Sequence, residues 1–376
     1  MRIALVHDWL TGMRGGERVL DEIAGLYPDA DLYTLVHVPG STSERIEARR
    51  IETSPLSKLP GVRRYYRALL PLFPWAIRRF DLSGYDLVIS CSHAVAKSVR
   101  TGPNTLHLCY CLTPMRYIWD QIDAYLGHGL LRSISAPLVS YLRRFDQRHS
   151  GAAAVTKFIA TSTAVQDRIR RHYDRKASIV FPPVDVDAYE VRSTSADISA
   201  DAPYLLVGGF VPYKAEALAI EAFRNSSRSL LVVGDGPTRR ELERDAPSNV
   251  RFLGHVGNDE LRGLYAECRA LIYPQEEDFG IIAVEAQAAG RPVIAFGQGG
   301  ARDTVCDFRS NASPTGIYFD EPTPTSLRAA LDDFEANENA FDPNCIREWA
   351  QKFGILRFRQ DFQREVDKTL ELRNRL

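Results

Sequence analysis

Two glutamates, Glu277 and Glu285, stand eight positions apart around a Phe279-Gly280 step. The apolar run Ala270-Leu271-Ile272-Tyr273 precedes them, and the small-residue run Ala283-Val284-Glu285-Ala286 follows. This pattern reads as a strand that turns tightly into a helix. Such a turn leaves free backbone N–H groups at the helix start, which together with the helix dipole favour an anion such as a diphosphate. One carboxylate lies before the helix and the other about two turns in, so each can accept hydrogen bonds from a different sugar ring. A phosphate flanked by two polyols is the outline of a nucleotide-sugar.

Elements able to position these groups recur along the chain. Strand-like runs at 2–7, 31–36, 86–91, 105–111, 157–161 and 177–181 are separated by helical stretches, the pattern of parallel α/β architecture. Phe181-Pro182-Pro183-Val184-Asp185 and the polar stretch Ser193–Asp201 then break the pattern, because two prolines block a helix and the polar residues offer little core. A second series begins at Pro203-Tyr204-Leu205-Leu206-Val207 and continues at 229–234, 250–253, 269–273, 291–296 and 316–319. The expectation is two doubly wound, Rossmann-like domains, residues 1–192 and 193–355, with an amphipathic helical stretch near 346–373 whose end, 356–376, crosses back to the first domain. Ligands of such sheets bind beyond the carboxyl ends of the strands, so two of them facing each other would leave a cleft.

Composition narrows the class. The 376 residues suit two domains at ~150 residues each. The formal charge of −1 argues against a nucleic-acid binder, which is usually basic. The six cysteines show no paired metal spacing, and Cys109 and Cys111 share one face of an apolar strand, as buried thiols do. Met1 to Asp8 read as a strand and not as a signal peptide, and no apolar run approaches the ~20 residues that span a bilayer. These features suggest a reduced, cytoplasmic protein, soluble or peripheral on the inner face of the cell membrane.

Three blocks of the second half carry a more specific likeness. Val211-Pro212-Tyr213-Lys214 follows one strand, Val233-Gly234-Asp235-Gly236-Pro237 closes the next, and Glu277…Glu285 runs into Gly290-Arg291-Pro292-Val293-Ile294-Ala295. In order and spacing they resemble the retaining glycosyltransferases of family 4, with the GT-B fold. In the first half, Gly12 to Gly16 follow the first strand, where the family places a glycine loop, and Tyr85-Asp86-Leu87-Val88-Ile89-Ser90, Ser92 to Lys97 and Met115-Arg116-Tyr117-Ile118-Trp119-Asp120 resemble a bacterial subgroup. That subgroup builds O-antigens and exopolysaccharides, with GDP-mannose a frequent donor.

The resemblance implies transfer of a hexose from a GDP- or UDP-linked sugar to a saccharide, or a lipid-linked saccharide, in surface polysaccharide and lipopolysaccharide synthesis. Lys214 would neutralise the leaving diphosphate, and Glu277 would approach the transferred sugar. Glu285 would bind the donor ribose, with Phe279, Gly280, Ile281 and Ile282 forming the phosphate turn. Gly15 and Gly16 would lie near the diphosphate, and Gly254 and His255 near the base. Reaction on the front face of the donor needs no enzyme nucleophile, cofactor or metal.

Two positions depart from the family. Gly209 stands where an arginine is usual, and Leu112 where the subgroup has a histidine. His93, Arg14 and Arg116 are candidates for substitute or acceptor contacts, whereas His107, inside a strand, reads as structural. The departures leave open a paralogue that binds a sugar nucleotide or a partner enzyme with little or no turnover. An epimerase or phosphorylase of the same fold is a more distant reading. Asp185-Val186-Asp187 lacks neighbouring metal ligands, and Gly12-x-x-Gly15-Gly16 lacks the spacing of a dinucleotide fingerprint. Residues 58–80 hold six basic and no acidic residues among aromatics, which suits either an anionic membrane surface or a basic surface helix with its aromatics turned inward.

Overall fold

The computed structural model describes residues 1–122, 130–191, 199, 201–211 and 214–373. The chain forms two compact units, Met1–Pro183 with Phe358–Leu376, and Val184–Arg357. In the first, strands β1 (Ile3–His7), β2 (Asp31–Thr34), β3 (Ile51–Thr53), β4 (Leu87–Ser92), β5 (Leu106–Cys111), β6 (Lys157–Ala160) and β7 (Ala177–Ile179) form one parallel sheet in the order β3-β2-β1-β4-β5-β6-β7. All six residues of β4 and of β5 are buried, which explains their near-continuous apolar sequences. Alternate residues feed opposite faces. Ala4, Val6 and Val88 join Tyr66 and Phe73 in one core, and Leu5, Leu87 and Ile89 join Leu20, Ile23 and Phe362 in the other. Strand β3 was not expected from sequence. Its three residues are half-buried at the sheet edge, too few for alternation to show.

His107 is structural, as its place inside β5 suggests. Nε2 lies 2.8 Å from Ser90 Oγ and Nδ1 2.8 Å from the Ala154 carbonyl. Burial pushes its pKa down to about 4, so the ring stays neutral. The 58–80 segment is not one helix. It runs through 3-10 turns at Val62–Arg64 and Tyr66–Leu72 into the short helix Phe73–Ile77. Tyr66 and Phe73 enter the core beside Trp9, while Tyr65, Leu72 and Trp75 stay exposed.

In the second unit, β8 (Tyr204–Gly209), β9 (Leu230–Asp235), β10 (Val250–Gly254), β11 (Leu271–Tyr273), β12 (Val293–Phe296) and β13 (Gly316–Phe319) form a parallel sheet in the order β10-β9-β8-β11-β12-β13. The chain winds outward from β8 to β10, then crosses to β11 and winds the other way. The winding therefore reverses between β8 and β11, whose residues Leu205 and Leu206 pair with Leu271 and Ile272. The unit begins at Val184, because Val186 is buried and Tyr189 packs edge-on against Tyr265 at 5.9 Å. Most of the polar stretch expected to link the domains, residues 192–198 and 200, lies outside the described residues.

The expected helical run near 346–373 is two helices, Pro343–Ala350 and Ile355–Arg373, joined by the turn Gln351–Phe353. Gly354 separates them and bridges to Val184, and a glycine inside a helix would cost about 1 kcal/mol. From Phe358 onward the last helix belongs to the first unit. Phe358 and Phe362 pack on Tyr110 at 5.9 and 6.1 Å between ring centres. Glu365 accepts from Ser178 at 2.6 Å and pairs with Lys157 at 2.6 Å. Among the described residues no helix is long and apolar enough to cross a membrane. Phe362→Ala should destabilise the first unit by about 3–5 kcal/mol. Urea unfolding of the full chain reads this as an earlier midpoint, and an unmoved midpoint would contradict the docking of the last helix.

Candidate functional site

The reversal between β8 and β11 opens a crevice at their carboxyl ends, where sheets of this kind hold ligands. Lys214, in the loop after β8, and Glu277, in the loop after β11, meet there. Lys214 Nζ lies 3.0 Å from Glu277 Oε1, with both side chains about one-quarter exposed. Tyr273, the last residue of β11, donates its hydroxyl to Glu277 Oε2 at 3.1 Å. Glu277 is thus fixed on one oxygen by a buried phenol and on the other by the ammonium.

Gly280 makes that arrangement possible. Its φ is +95°, in the left-handed region, and a Cβ there would stand 2.7 Å from the Tyr273 hydroxyl oxygen. The helix Ile281–Ala288 starts immediately after it, and the Ala283 N–H donates to the Gly280 carbonyl at 3.0 Å. The earlier N–H groups of Ile281 and Ile282 precede the first intrahelical bond, as at any helix start. Phe279 is buried and packs edge-on against Phe353 at 5.5 Å between ring centres. Arg347 Nη1 donates to the Ala288 carbonyl at 2.8 Å and closes the far end of the helix. Glu285 is 7% exposed, and the buried Tyr265 donates to its Oε2 at 3.1 Å. Burial, with the Glu285 charge beside it, drives the Tyr265 pKa well up, so that phenol remains a donor.

Three features here escape a motif reading. A second loop, Gly297 to Gly300 after β12, braces the first. The Gly300 N–H donates to the Glu277 carbonyl at 2.9 Å, and a Cβ on Gly300 would meet Phe279 Cα at 2.3 Å. The sequence signal was the paired glycine after a strand. Tyr265 and Tyr273 are likewise invisible as clamps, because their roles depend on contacts set by the fold. The third is Glu216, two residues beyond Lys214 and only 3% exposed. Its Oε1 has no hydrogen-bond partner among the described residues and lies 3.2 Å from where a Cβ on Gly208 would stand. Burial above all, and the nearby Glu277 charge, push its pKa up to about 7, although Lys214 pulls the other way.

Gly254 ends the edge strand β10 and His255 follows it, two strands from β8 at the same end of the sheet, and His255 is exposed. Gly209 ends β8, and among the described residues a Cβ there would meet nothing nearer than the Asp235 carbonyl at 3.9 Å. The position has room for a side chain. Pro212 and Tyr213 lie outside the described residues.

The remaining candidates belong to the first unit, around its own reversal between β1 and β4. The buried Asp8 carboxylate accepts the backbone N–H groups of His93, Ala94, Val95 and Ala96 at 2.7–2.9 Å. His93 Nδ1 lies 3.2 Å from Asp8, and the ring stands edge-on to Trp9 at 4.4 Å. Burial lowers the His93 pKa even though Asp8 opposes this. Gly15 and Gly16 open the helix Gly15–Leu26, where a Cβ on Gly16 would meet Leu112 Cδ1 at 2.9 Å. Arg14 precedes that helix exposed, and its N–H donates to Glu17 at 3.1 Å. Arg116 is half-buried in the turn after β5, where its carbonyl accepts from Asp120 and Gln121.

Residues 196–352 match the family model described as Glycosyl transferases group 1. Over this stretch the chain is similar to that family. Among curated relatives, an uncharacterized glycosyltransferase of Methanocaldococcus jannaschii is 26% identical over 187 residues, 48% of this chain and 50% of that protein. The O-antigen chain mannosyltransferase C of Escherichia coli is 25% identical over 220 residues, 54% of this chain and 57% of that protein. The chain spans about half the length of the curated relatives it matches. Among solved structures, Anabaena HepE in complex with UDP and glucose superposes with a TM-score of 0.67 at 18% identity, covering 98% of this chain and 99% of that one. The fold is GT-B, two Rossmann-like units built on parallel sheets of seven and six strands.

Gly280→Ala should cost more than Gly40→Ala, although both sit at positive φ. Gly40 has nothing within 4 Å of a Cβ, so its variant carries only backbone strain, about 1 kcal/mol. At Gly280 the Tyr273 hydroxyl must also move, which should raise the loss to about 2–4 kcal/mol. Equal losses by chemical denaturation would show that the contact is not tight.

Proposed function

We propose that this chain is a retaining, metal-independent glycosyltransferase that moves a hexose from a nucleoside-diphosphate sugar to a saccharide in bacterial surface polysaccharide synthesis. The observation that carries this reading is the Lys214–Glu277 pair at the sheet reversal, beside a helix start that offers backbone donors and a clamped Glu285. In this reading Lys214 and the N–H groups of Ile281 and Ile282 take up the charge that develops on the departing diphosphate. Preorganised donors of this kind are worth about 3–4 kcal/mol each. Glu285 holds the donor ribose, and Glu277, immobilised by Tyr273, faces the transferred sugar. Likeness to an O-antigen mannosyltransferase favours GDP-mannose as the first donor to test, while a neighbour that holds UDP and glucose makes UDP-glucose the second.

A lesser second reading, a paralogue with weak turnover, draws only on Gly209 and Leu112, neither of which can donate a side-chain hydrogen bond. One experiment separates the two. A thermal-shift panel of GDP, UDP, GDP-mannose and UDP-glucose should show stabilisation by one nucleotide class, about 2.7 kcal/mol at 100 times its dissociation constant. Lys214→Ala should abolish that shift. Gly209→Arg, placed where the backbone leaves room, should tighten binding about tenfold. No shift with any nucleotide would overturn the proposal.

The acceptor is a lipid-linked saccharide in this reading, met at an anionic membrane surface. Support comes from residues 58–80 and from Arg79 stacked over the half-exposed Trp75 at 5.5 Å. Vesicles rich in anionic lipid should co-sediment the protein at low salt and release it as salt rises. Absence of binding at low salt would remove the membrane from the proposal.

A further inference from the structure

Glu216 has no part in the assignments above, yet its carboxyl is the deepest acidic group beside Lys214. The loop before its helix contributes Lys214 as the neighbouring charge, and the loop after β11 contributes Glu277. Strand β8 faces it with Gly208, which has no titratable side chain. The helix Pro324–Ala336, packed on the Glu216 helix, directs Arg328 to the carbonyls of Glu221 and Ala222. Two carboxylates therefore compete for one ammonium, and one of them is buried with an oxygen unpartnered among the described residues.

An anion entering this crevice sharpens the competition. A diphosphate at Lys214 would bring further negative charge towards a carboxyl that is already short of solvent. Like charge and burial both favour the neutral acid. In that form the group can donate a hydrogen bond, which a carboxylate cannot.

We propose that Glu216 is a proton-coupled positioning residue of the donor site, which binds a nucleoside-diphosphate sugar with the carboxyl as the neutral acid and takes up a proton when the free protein has lost it. The inference rests on the function proposed above. The direction of its pH dependence follows from the raised affinity of Glu216 for protons. The free carboxyl titrates at about 7, and the bound one must titrate higher. Donor affinity is then full below the free value and falls as pH rises through it, about tenfold per unit, until the bound value is reached.

Calorimetric titration of the full chain with UDP-glucose and with GDP-mannose tests this. Neither sugar nucleotide has a diphosphate proton that titrates in the range used. For the sugar that binds, affinity should be about 30-fold weaker at pH 8.5 than at pH 6. Titrations in two buffers of different ionisation enthalpy should show close to one proton taken up at about pH 8 and almost none near pH 5.5. Glu216→Gln should keep the low-pH affinity and lose the pH dependence. Binding with a flat profile and no proton uptake overturns the inference and leaves the function standing. A Glu216→Gln protein that keeps the wild-type profile does the same. Failure of both sugars to bind at any pH overturns both. If the variant does not fold, the proton count of the wild-type chain decides.

Discussion

An ammonium and a carboxylate 3.0 Å apart at the mouth of the second sheet set the terms for everything around them. Lys214 and Glu277 leave neighbouring strands on opposite sides of a reversal in winding, so their meeting is a product of topology. Each must also be kept from relaxing into solvent. Tyr273 and the Gly297–Gly300 loop do this for Glu277, and a left-handed glycine gives the tyrosine its space. The same geometry leaves the ammonium outnumbered by carboxyls. Lys214 meets Glu277 there, with Glu216 and Glu285 on the adjoining helices, so an ammonium and several carboxyls share the mouth of one sheet.

The first unit uses an equivalent place differently. There the crevice between β1 and β4 is occupied by Asp8, whose two oxygens take four consecutive backbone N–H groups. That satisfies the turn internally and fixes His93 against Trp9. Two sheets of one architecture thus place different groups after their first strands, a carboxylate bound by backbone N–H groups in one and a lysine–glutamate ion pair in the other.

Much of this was legible in the sequence, for identifiable reasons. Strands buried on both faces give long apolar runs, so β1, β4, β5, β8 and β9 stood out within a residue or two. The Phe-Gly step marked the turn into the helix Ile281–Ala288, because glycine adopts the left-handed backbone needed there. What stayed hidden depends on contacts between distant positions. Tyr265 and Tyr273 look like ordinary core aromatics until the fold brings Glu285 and Glu277 to them. Glu216 resembles any glutamate at a helix start, and its burial comes from packing against β8. The three-residue β3 and the interruption at Gly354 were missed because neither disturbs the periodicity of its surroundings enough to register.

The return of Phe358–Leu376 to the first unit bears on how the protein is made. The second unit is contiguous and can close as soon as it has left the ribosome. The first unit emerges earlier, yet Tyr110 and its neighbours keep a bare apolar surface until the final helix arrives to cover them. Synthesis order and folding order are thereby inverted, since the half made first completes its core only after the last helix has been translated.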